Sequence, residues 1–312
     1  DSTNWFDIRK YLKEFLSDRR VIEVNPLVWQ IILNLFILNF RPSKTAKAYK
    51  EIWMKDKNIS PLLHYTQKQT EKLSELMSEK NLLIDYAMRY GNPSIRSKIA
   101  TLHEMGCENL IILPLYPQYA AATTATVCDE VYRTLMKMRW QPSLKIVPHY
   151  ESDPLYIEAL VNSLNKKIKE INWKPDLILA SYHGIPQKYF DKGDPYHCYC
   201  HKTTRLISEK LSSIKIKTTF QSRFGPQEWL KPYTDKTLET LPTKGIKNLL
   251  VICPGFASDC VETLEEIAIE ARETFIEAGG ENFTTVPCLN SSPESIKLLA
   301  QLAHTELAGW IA

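Results

Sequence analysis

The feature that most constrains the fold is a short apolar run followed at once by a helix pattern. Residues 249–253 are apolar and rich in Val and Ile, which is typical of a buried strand in a parallel sheet. A Pro-Gly pair ends this run. Asp259 is a good N-cap residue and Glu262 follows three positions later, so we expect a helix from Asp259 toward Ala278. The segment predicts a strand that leads into a helix.

The predicted helix carries three glutamates at four-residue steps, namely Glu262, Glu266 and Glu270. At about 100° per residue they drift only about 80° around an α-helix, so they would form one acidic row. The row begins at the C-terminal end of the strand, where open parallel sheets bind ligands. The alternative is a solvated helix face whose first acids complement the helix dipole.

A second apolar strand lies within residues 176–186 and ends at His183. A histidine after a strand is most often a hydrogen-bonded structural residue. Two parallel strands that end in His183 and in the pair Asp259 and Glu262 would nevertheless place an imidazole and carboxylates at one crevice. Such groups could move protons or hold a divalent metal.

Further motifs extend over most of the chain. They are SYHGIP at 181–186, FASDCVETLEE at 256–266, RYGNPS at 89–94, LPLYPQYAAATT at 113–124, GDPYHCYCHKTTRLI at 193–207 and QSRFGPQEWLKP at 221–232. Several motifs at compatible spacing are far more specific than one short pattern. On these residues the chain resembles the ferrochelatases, enzymes that insert ferrous iron into a porphyrin to make haem.

The resemblance implies the class II chelatase fold, with two similar Rossmann-like α/β domains and the active-site cleft between them. Each domain would be a four-stranded parallel sheet flanked by helices. We place the first domain at residues 1–150 and the second at 151–291, and we expect the C-terminal helix at 292–312 to pack back on the first. The length of 312 residues is comfortable for two domains. Ferrochelatases begin with a further strand, so the first strand is expected to be missing from this chain.

The same resemblance implies roles for the strand-end residues. His183 would be the proton acceptor or a transient metal ligand, and Glu262 would be its partner in both roles. The other acids would form a path for departing protons or arriving hydrated metal: Asp259, Glu266 and Glu270. Oxygen ligands suit this passage because they bind ferrous iron less tightly than imidazole or thiolate does.

Porphyrin-binding residues are also implied by the resemblance. The propionates would be bound by Arg41, Tyr49 and Ser60, and an arginine fork suits a carboxylate. Further substrate contacts would be Arg89, Tyr90, Tyr119, Ser222, Trp229 and Phe256. The alternatives are a solvated basic helix face around Arg41 and a core anchor at Trp229.

Residues 26–40, from Pro26 to Phe40, form an uncharged apolar segment. About 15 residues are too few to cross a bilayer, which requires about 20. Two interpretations remain open. The segment is either a buried core helix or an apolar lip that touches a membrane surface and admits an apolar substrate.

Composition excludes some classes of protein. Lys and Arg number 39 against 36 Asp and Glu, and a net charge of +3 is too balanced for an electrostatic nucleic-acid binder. Seven scattered cysteines without a repeated C-x-x-C frame indicate reduced thiols, and no signal peptide is visible. We therefore expect a cytoplasmic protein, at most peripheral to the inner face of the membrane, and either a monomer or a homodimer.

Four residues of one motif superficially resemble a metal cluster: His197, Cys198, Cys200 and His201. C-x-C spacing is poor for a closed zinc site without a second pair, so we expect structural roles. Many ferrochelatases have a histidine where this chain has Cys260, which leaves His183 as the only imidazole at the centre.

The predicted function is the insertion of ferrous iron into protoporphyrin IX to form protohaem, the last step of haem biosynthesis. Iron is a substrate here, and no tightly bound cofactor is expected. No iron-sulfur cluster of the known C-terminal kind is expected, because no cysteine follows Cys288. The alternatives are a chelatase for coproporphyrin, cobalt or nickel, and a non-catalytic haem-binding protein.

Overall fold

Alternation of strands and helices dominates the computed structural model of the protein, which describes residues 2–78, 82–211 and 214–310. The strands are β1 Asn109–Ile112, β2 Ser143–Ile146, β3 Leu177–His183, β4 Ile216–Gln221, β5 Asn248–Ile252 and β6 Asn282–Thr285. All the strand pairs formed between them are parallel. The predicted α/β class is therefore confirmed.

Helices precede β1, connect the strands and follow β6. The α-helices are α1 Trp5–Leu16, α2 Pro26–Ile32, α3 Leu38–Ile52, α4 Pro61–Leu76, α5 Ile95–Glu104, α6 Thr126–Leu135, α7 Pro154–Glu170, α8 Gln187–Asp191, α9 Tyr196–Lys210, α10 Thr234–Thr240, α11 Val261–Leu264, α12 Arg272–Glu277 and α13 Pro293–Leu307. Turns of π-helix lie at Leu33–Ile37, Ala121–Ala125 and Glu266–Ala271, and a 3₁₀ turn lies at Pro242–Lys244.

The chain divides into two units, each with its own sheet. The first unit comprises Asp1–Pro114, Ala120–Pro148 and Leu299–Ala312, and the second comprises Leu115–Tyr119 and His149–Leu298. Residues 115–119 thus belong to the second unit although they lie between two segments of the first. After the main part of the second unit, the chain returns to the first unit at Leu299. The boundaries that we predicted at 150 and 291 stay predictions.

The second unit has the expected four-stranded sheet, in the order β4-β3-β5-β6. The central strands β3 and β5 are buried almost throughout, as a sheet covered by helices on both faces requires. One face packs on a core that includes Leu179, Val251 and Phe275. The register pairs His183 at the end of β3 with Gln221 at the end of β4.

The first unit differs from the expected four-stranded sheet. Its strands β1 and β2 form a two-stranded parallel sheet. Residues 82–88 have a strand-like composition but form no strand. In the part of the chain that the structure describes, residues 82–88 form one isolated β-bridge, between Met88 and Ser94. An extended segment becomes a strand only when a neighbour pairs with its backbone N–H and C=O groups.

The helical segment 261–277, which carries Glu262, Glu266 and Glu270, is called the acidic helix below. It begins later than Asp259, which corrects the sequence prediction. Its N-cap is Cys260, whose N–H donates to the Thr263 hydroxyl at 3.1 Å. Asp259 cannot cap because its side-chain oxygens accept hydrogen bonds elsewhere, including one from the Asn290 amide at 2.7 Å. Two residues after α11 the helix widens into the π turn Glu266–Ala271.

The apolar segment at 26–40 is helical, and most of its large side chains face solvent. Phe40 is 75% exposed, whereas Leu33 and Leu38 are fully buried. The interpretation as a buried core helix is therefore wrong, because only a narrow stripe of the segment enters the core. Among the described residues we find no helix with the length and apolarity needed to cross a membrane.

Candidate active site

His183 ends β3, and its ring orientation is set by the next residue. Its Nδ1 lies 2.6 Å from the Gly184 carbonyl oxygen. A carbonyl oxygen only accepts hydrogen bonds, so Nδ1 carries the proton and donates, and Nε2 keeps its lone pair. The half-buried imidazole therefore presents a basic nitrogen at the C-terminal edge of the sheet. That nitrogen could accept a proton or bind a metal.

Gly184 holds this turn close to the neighbouring strand. Its N–H donates to the Gln221 carbonyl at 2.7 Å. A Cβ atom at Gly184 would lie 2.8 Å from that carbonyl oxygen and 3.2 Å from the Trp229 ring. Only glycine fits this approach without displacing a neighbour.

Ser222 follows the paired end of β4 in a left-handed conformation, with φ of 63°. Glu266 fixes it there by accepting hydrogen bonds from the Ser222 N–H at 2.7 Å and from the Ser222 hydroxyl. The Gln221 amide donates to the same carboxylate at 3.2 Å. Burial raises the pKa of Glu266 above its ordinary value, although the hydrogen bonds from Ser222 oppose the increase.

The three glutamates of the predicted row have different surroundings. Glu262 and Glu266 are half-buried, whereas Glu270 is exposed. The intervening π turn contributes to the difference, because the Glu270 N–H donates to the Glu265 carbonyl five residues back. Four-residue steps therefore do not keep the angular spacing of an ideal α-helix here.

Asp259 and Cys260 precede Glu262 by three and two residues, and both are buried. Burial raises the pKa of the Cys260 thiol, and the neighbouring Glu262 carboxylate raises it further, so sulfur stays protonated. The Asp259 carboxylate accepts hydrogen bonds from the Thr263 hydroxyl, the Cys288 N–H and the Asn290 amide. These contacts tie the start of the helix to the segment after β6.

Among residues 2–78, 82–211 and 214–310, no three or more His, Cys, Asp or Glu side chains are grouped so as to hold a metal ion.

Trp229 and Phe256, two predicted porphyrin contacts of the second unit, pack inside it. Trp229 is buried, and its indole N–H donates to the Phe224 carbonyl at 2.9 Å. Phe256 packs against the core of the sheet. Tyr119, a third predicted contact, is half-buried. The packing of Trp229 against Gly184 makes it a support for the His183 turn.

The predicted contacts of the first unit divide into two sets. Arg89 forms an ion pair with Asp18 and donates to the Thr126 carbonyl at 2.8 Å, while the Tyr90 hydroxyl donates to Asp18 at 3.0 Å. Burial raises the pKa of Tyr90. Arg41 and Tyr49 lie on α3, and buried Ser60 caps α4 by accepting from the Leu63 N–H at 3.3 Å.

Sequence reasoning missed the bridging role of Gln221. Its amide donates to the Glu262 carbonyl at 2.8 Å, and its carbonyl oxygen accepts from the Ser181 hydroxyl at 2.7 Å. It thereby connects β3, β4 and the acidic helix. The available signal was a glutamine directly before Ser222 at the end of β4.

The family follows from comparison with known proteins. The family model described as Ferrochelatase matches residues 2–307. The chain belongs to the ferrochelatase family. Ferrochelatases of Allorhizobium ampelinum and Rhizobium meliloti are both 54% identical over 314 residues, covering 100% of this chain and 91% and 93% of theirs. The chain is accordingly an enzyme for metal insertion into porphyrin in haem synthesis.

Solved structures support the fold of this ferrochelatase. CbiX, described as the terminal enzyme for sirohaem biosynthesis in denitrifying bacteria, matches with a TM-score of 0.54 at 12% identity, over 78% of this chain and 92% of that one. SirB from Bacillus subtilis, solved with Fe³⁺, matches with a TM-score of 0.55 at 13% identity, over 80% and 91%. At such identities the likeness concerns the fold alone.

Proposed function

We propose that this ferrochelatase inserts ferrous iron into protoporphyrin IX to form protohaem, with His183 as the proton acceptor or transient iron ligand. The observation that carries the proposal is the hydrogen bond from His183 Nδ1 to the Gly184 carbonyl, which leaves Nε2 basic. Iron enters as substrate, and the proposal requires no resident cofactor.

Metal insertion requires two chemical events that this arrangement suits. The free-base porphyrin must lose two pyrrole protons, and the ferrous ion must shed water. A basic imidazole can accept a proton, and a pocket that distorts the flat macrocycle would expose its nitrogen lone pairs. Glu262 is proposed as the partner of His183 in this transfer.

The proposed metal and proton path uses the remaining acids at different depths. Glu270 is exposed and would meet hydrated iron first, whereas Glu266 is half-buried beside Ser222. A carboxylate with a raised pKa exchanges protons more readily near neutral pH than an exposed one does. Asp259 is proposed to support the path by fixing the start of the helix.

Substrate binding is proposed to involve Arg41, Tyr49 and Ser60 at the propionates. Arg89 and Tyr90 would line the pocket as one rigid pair, because Asp18 binds both. The exposed apolar face of residues 26–40 is proposed to contact a membrane surface, from which an apolar porphyrin could enter.

The direct test is anaerobic turnover with ferrous ion and protoporphyrin IX, followed by haem absorbance. His183→Ala should fold normally by circular dichroism and lose haem formation, whereas His103→Ala, an exposed histidine stacked on Trp140, should keep it. Normal turnover by His183→Ala would refute the assignment. Parallel reactions with coproporphyrin, Co²⁺ and Ni²⁺ test the alternative chelatases.

A further inference from the structure

Two histidines at the start of α9 face one another. His197 and His201 are four residues apart, which places them on the same face of the helix. Their ring centroids lie 4.4 Å apart. The spacing H-x-x-x-H is the one by which helices of zinc proteases present two imidazoles to one metal ion. Cys198 follows the first histidine, where those helices have a glutamate base, so the arrangement suits metal binding without hydrolytic chemistry.

Aromatic side chains hold both rings in place. The His197 ring stacks on Phe220 with centroids 5.7 Å apart, and the His201 ring lies 6.2 Å from the same phenyl ring. Phe190 packs edge-to-face on His197 at 5.1 Å. His201 is exposed and His197 is half-buried, so solvent reaches the pair. The imidazoles are therefore ordered before any ligand binds.

The ring nitrogens are available for coordination. In the part of the chain that the structure describes, neither histidine has a hydrogen bond to a ring nitrogen. Burial lowers the pKa of both histidines, and the neighbouring His197 lowers the pKa of His201 further. A lowered pKa favours the neutral imidazole, whose lone pair binds borderline-soft divalent ions.

The two neighbouring cysteines, Cys198 and Cys200, are not placed to bind a metal together with this histidine pair. Cys200 is fully buried, and burial raises the pKa of its thiol. Cys198 is exposed, but one position along an α-helix turns it about 100° away from His197. Two imidazoles without a third protein ligand leave the remaining coordination positions to water, as in an open, exchangeable site.

The pair is separate from the candidate active site. Phe220 and Gln221 are successive residues of β4, so their side chains point to opposite faces of the sheet. Gln221 contacts Ser181 and Glu266 on one face, whereas Phe220 contacts His197 on the other. A metal at the histidine pair would not share ligands with His183.

We propose that His197 and His201 form a second, two-histidine site that binds a divalent first-row transition-metal ion such as Zn²⁺. For His197 and His201, this proposal takes the place of the structural roles that we expect from the sequence. It makes no use of the porphyrin or of the acidic helix, so it stands or fails independently of the proposed function.

Calorimetric titration with Zn²⁺ at about pH 7.5 tests the site, in the chain carrying His183→Ala so that this imidazole does not contribute. Adding either His197→Ala or His201→Ala should remove one equivalent of bound Zn²⁺. Adding His103→Ala or Cys198→Ser should leave that equivalent in place. Undiminished binding in both histidine variants would overturn the proposal, and so would loss of the equivalent in Cys198→Ser.

Because both rings pack on Phe220, a second measurement uses the unaltered chain. Zn²⁺ should protect His197 and His201 from modification by diethyl pyrocarbonate, mapped by peptide mass, while His103 is modified equally with and without metal. The site would be contradicted if each of the three histidines were modified to the same extent with and without Zn²⁺.

Discussion

At the scale of single residues, the candidate base depends on the glycine that follows it. The sequence places His183 at a strand end, and that placement holds because an apolar run with a Gly-Ile-Pro exit has few other interpretations. The bond from its ring to the Gly184 carbonyl could not be predicted, since it depends on the turn that follows β3. The same is true of Glu266, whose contact with Ser222 depends on packing between a helix and a distant strand end.

Gly184→Ala tests this dependence. The new Cβ would lie 2.8 Å from the Gln221 carbonyl oxygen, so the strand end must shift. We expect a loss of about 1–3 kcal/mol in the free energy of unfolding by urea, together with reduced haem formation. Gly255→Ala is the matched control, because its nearest neighbour is a Tyr182 ring atom at 3.4 Å, an ordinary contact. Equal stability and turnover in both variants would show that the close approach is unimportant.

At the scale of elements, the acidic helix shows where periodicity misleads. Its existence was predictable, but its start was not, because cysteine is not a usual N-cap and the better candidate Asp259 binds other donors. The π turn was also invisible in the sequence, since it changes hydrogen-bond partners without changing composition. The predicted acidic row therefore divides into two half-buried glutamates, Glu262 and Glu266, and the exposed Glu270.

Thr263→Val tests the observed cap. The threonine hydroxyl accepts from the Cys260 N–H and donates to Asp259, and valine keeps the shape but removes both bonds. We expect urea unfolding to show a loss of about 0.5–2 kcal/mol. Thr274→Val should change stability little, because that hydroxyl bonds to the Glu270 carbonyl at the helix surface. The assignment of the cap would be wrong if the two variants were equally stable.

The apolar segment yields a second prediction for an element. Leu35 and Phe36 are exposed, so Leu35→Ser and Phe36→Ser should leave the unfolding free energy within about 0.5 kcal/mol of wild type. Leu33→Ala, at a fully buried position, should cost about 2–5 kcal/mol. If the exposed face contacts lipid, the serine variants should also bind less to sedimented phospholipid vesicles. Unchanged vesicle binding would remove the proposed membrane contact and leave the fold unaffected.

At the scale of the whole molecule, the β-α-β rhythm predicted the class and the sheet of the second unit. Strands β3 and β5 were recognisable because both faces of each are buried, which makes them apolar over 177–180 and 249–252. The sheet of the first unit was not predictable in the same way. Residues 82–88 have a strand-like composition, but whether they form a strand depends on a partner elsewhere in the chain.

Stability as a function of pH is also a property of the whole molecule, and two acids of the second unit affect it in opposite directions. Burial alone would raise the pKa of Glu151, but hydrogen bonds from Lys202 and His149 outweigh it and hold the pKa below its ordinary value of 4.5. Its stabilising contribution is therefore present above pH 4.5 and is lost as pH falls through the lowered pKa. The pKa of Glu266 is raised, so its contribution is complete below pH 4.5 and is lost as pH rises through the raised value.

Glu151→Gln and Glu266→Gln should accordingly show opposite pH trends in urea unfolding. Glu151 is 1% exposed and accepts hydrogen bonds from Lys202 and His149, so its glutamine variant should lose about 1.5–3 kcal/mol at pH 7, and the loss should shrink as pH falls below 4.5. For Glu266→Gln, the loss relative to wild type should be larger at pH 4 than at pH 7, because wild type no longer gains from the tightly held proton at pH 7. Glu209→Gln, which removes an exposed pair with Arg205, is the control and should show little loss at either pH. Parallel pH trends in the two test variants would mean that burial does not outweigh the hydrogen bonds at Glu266.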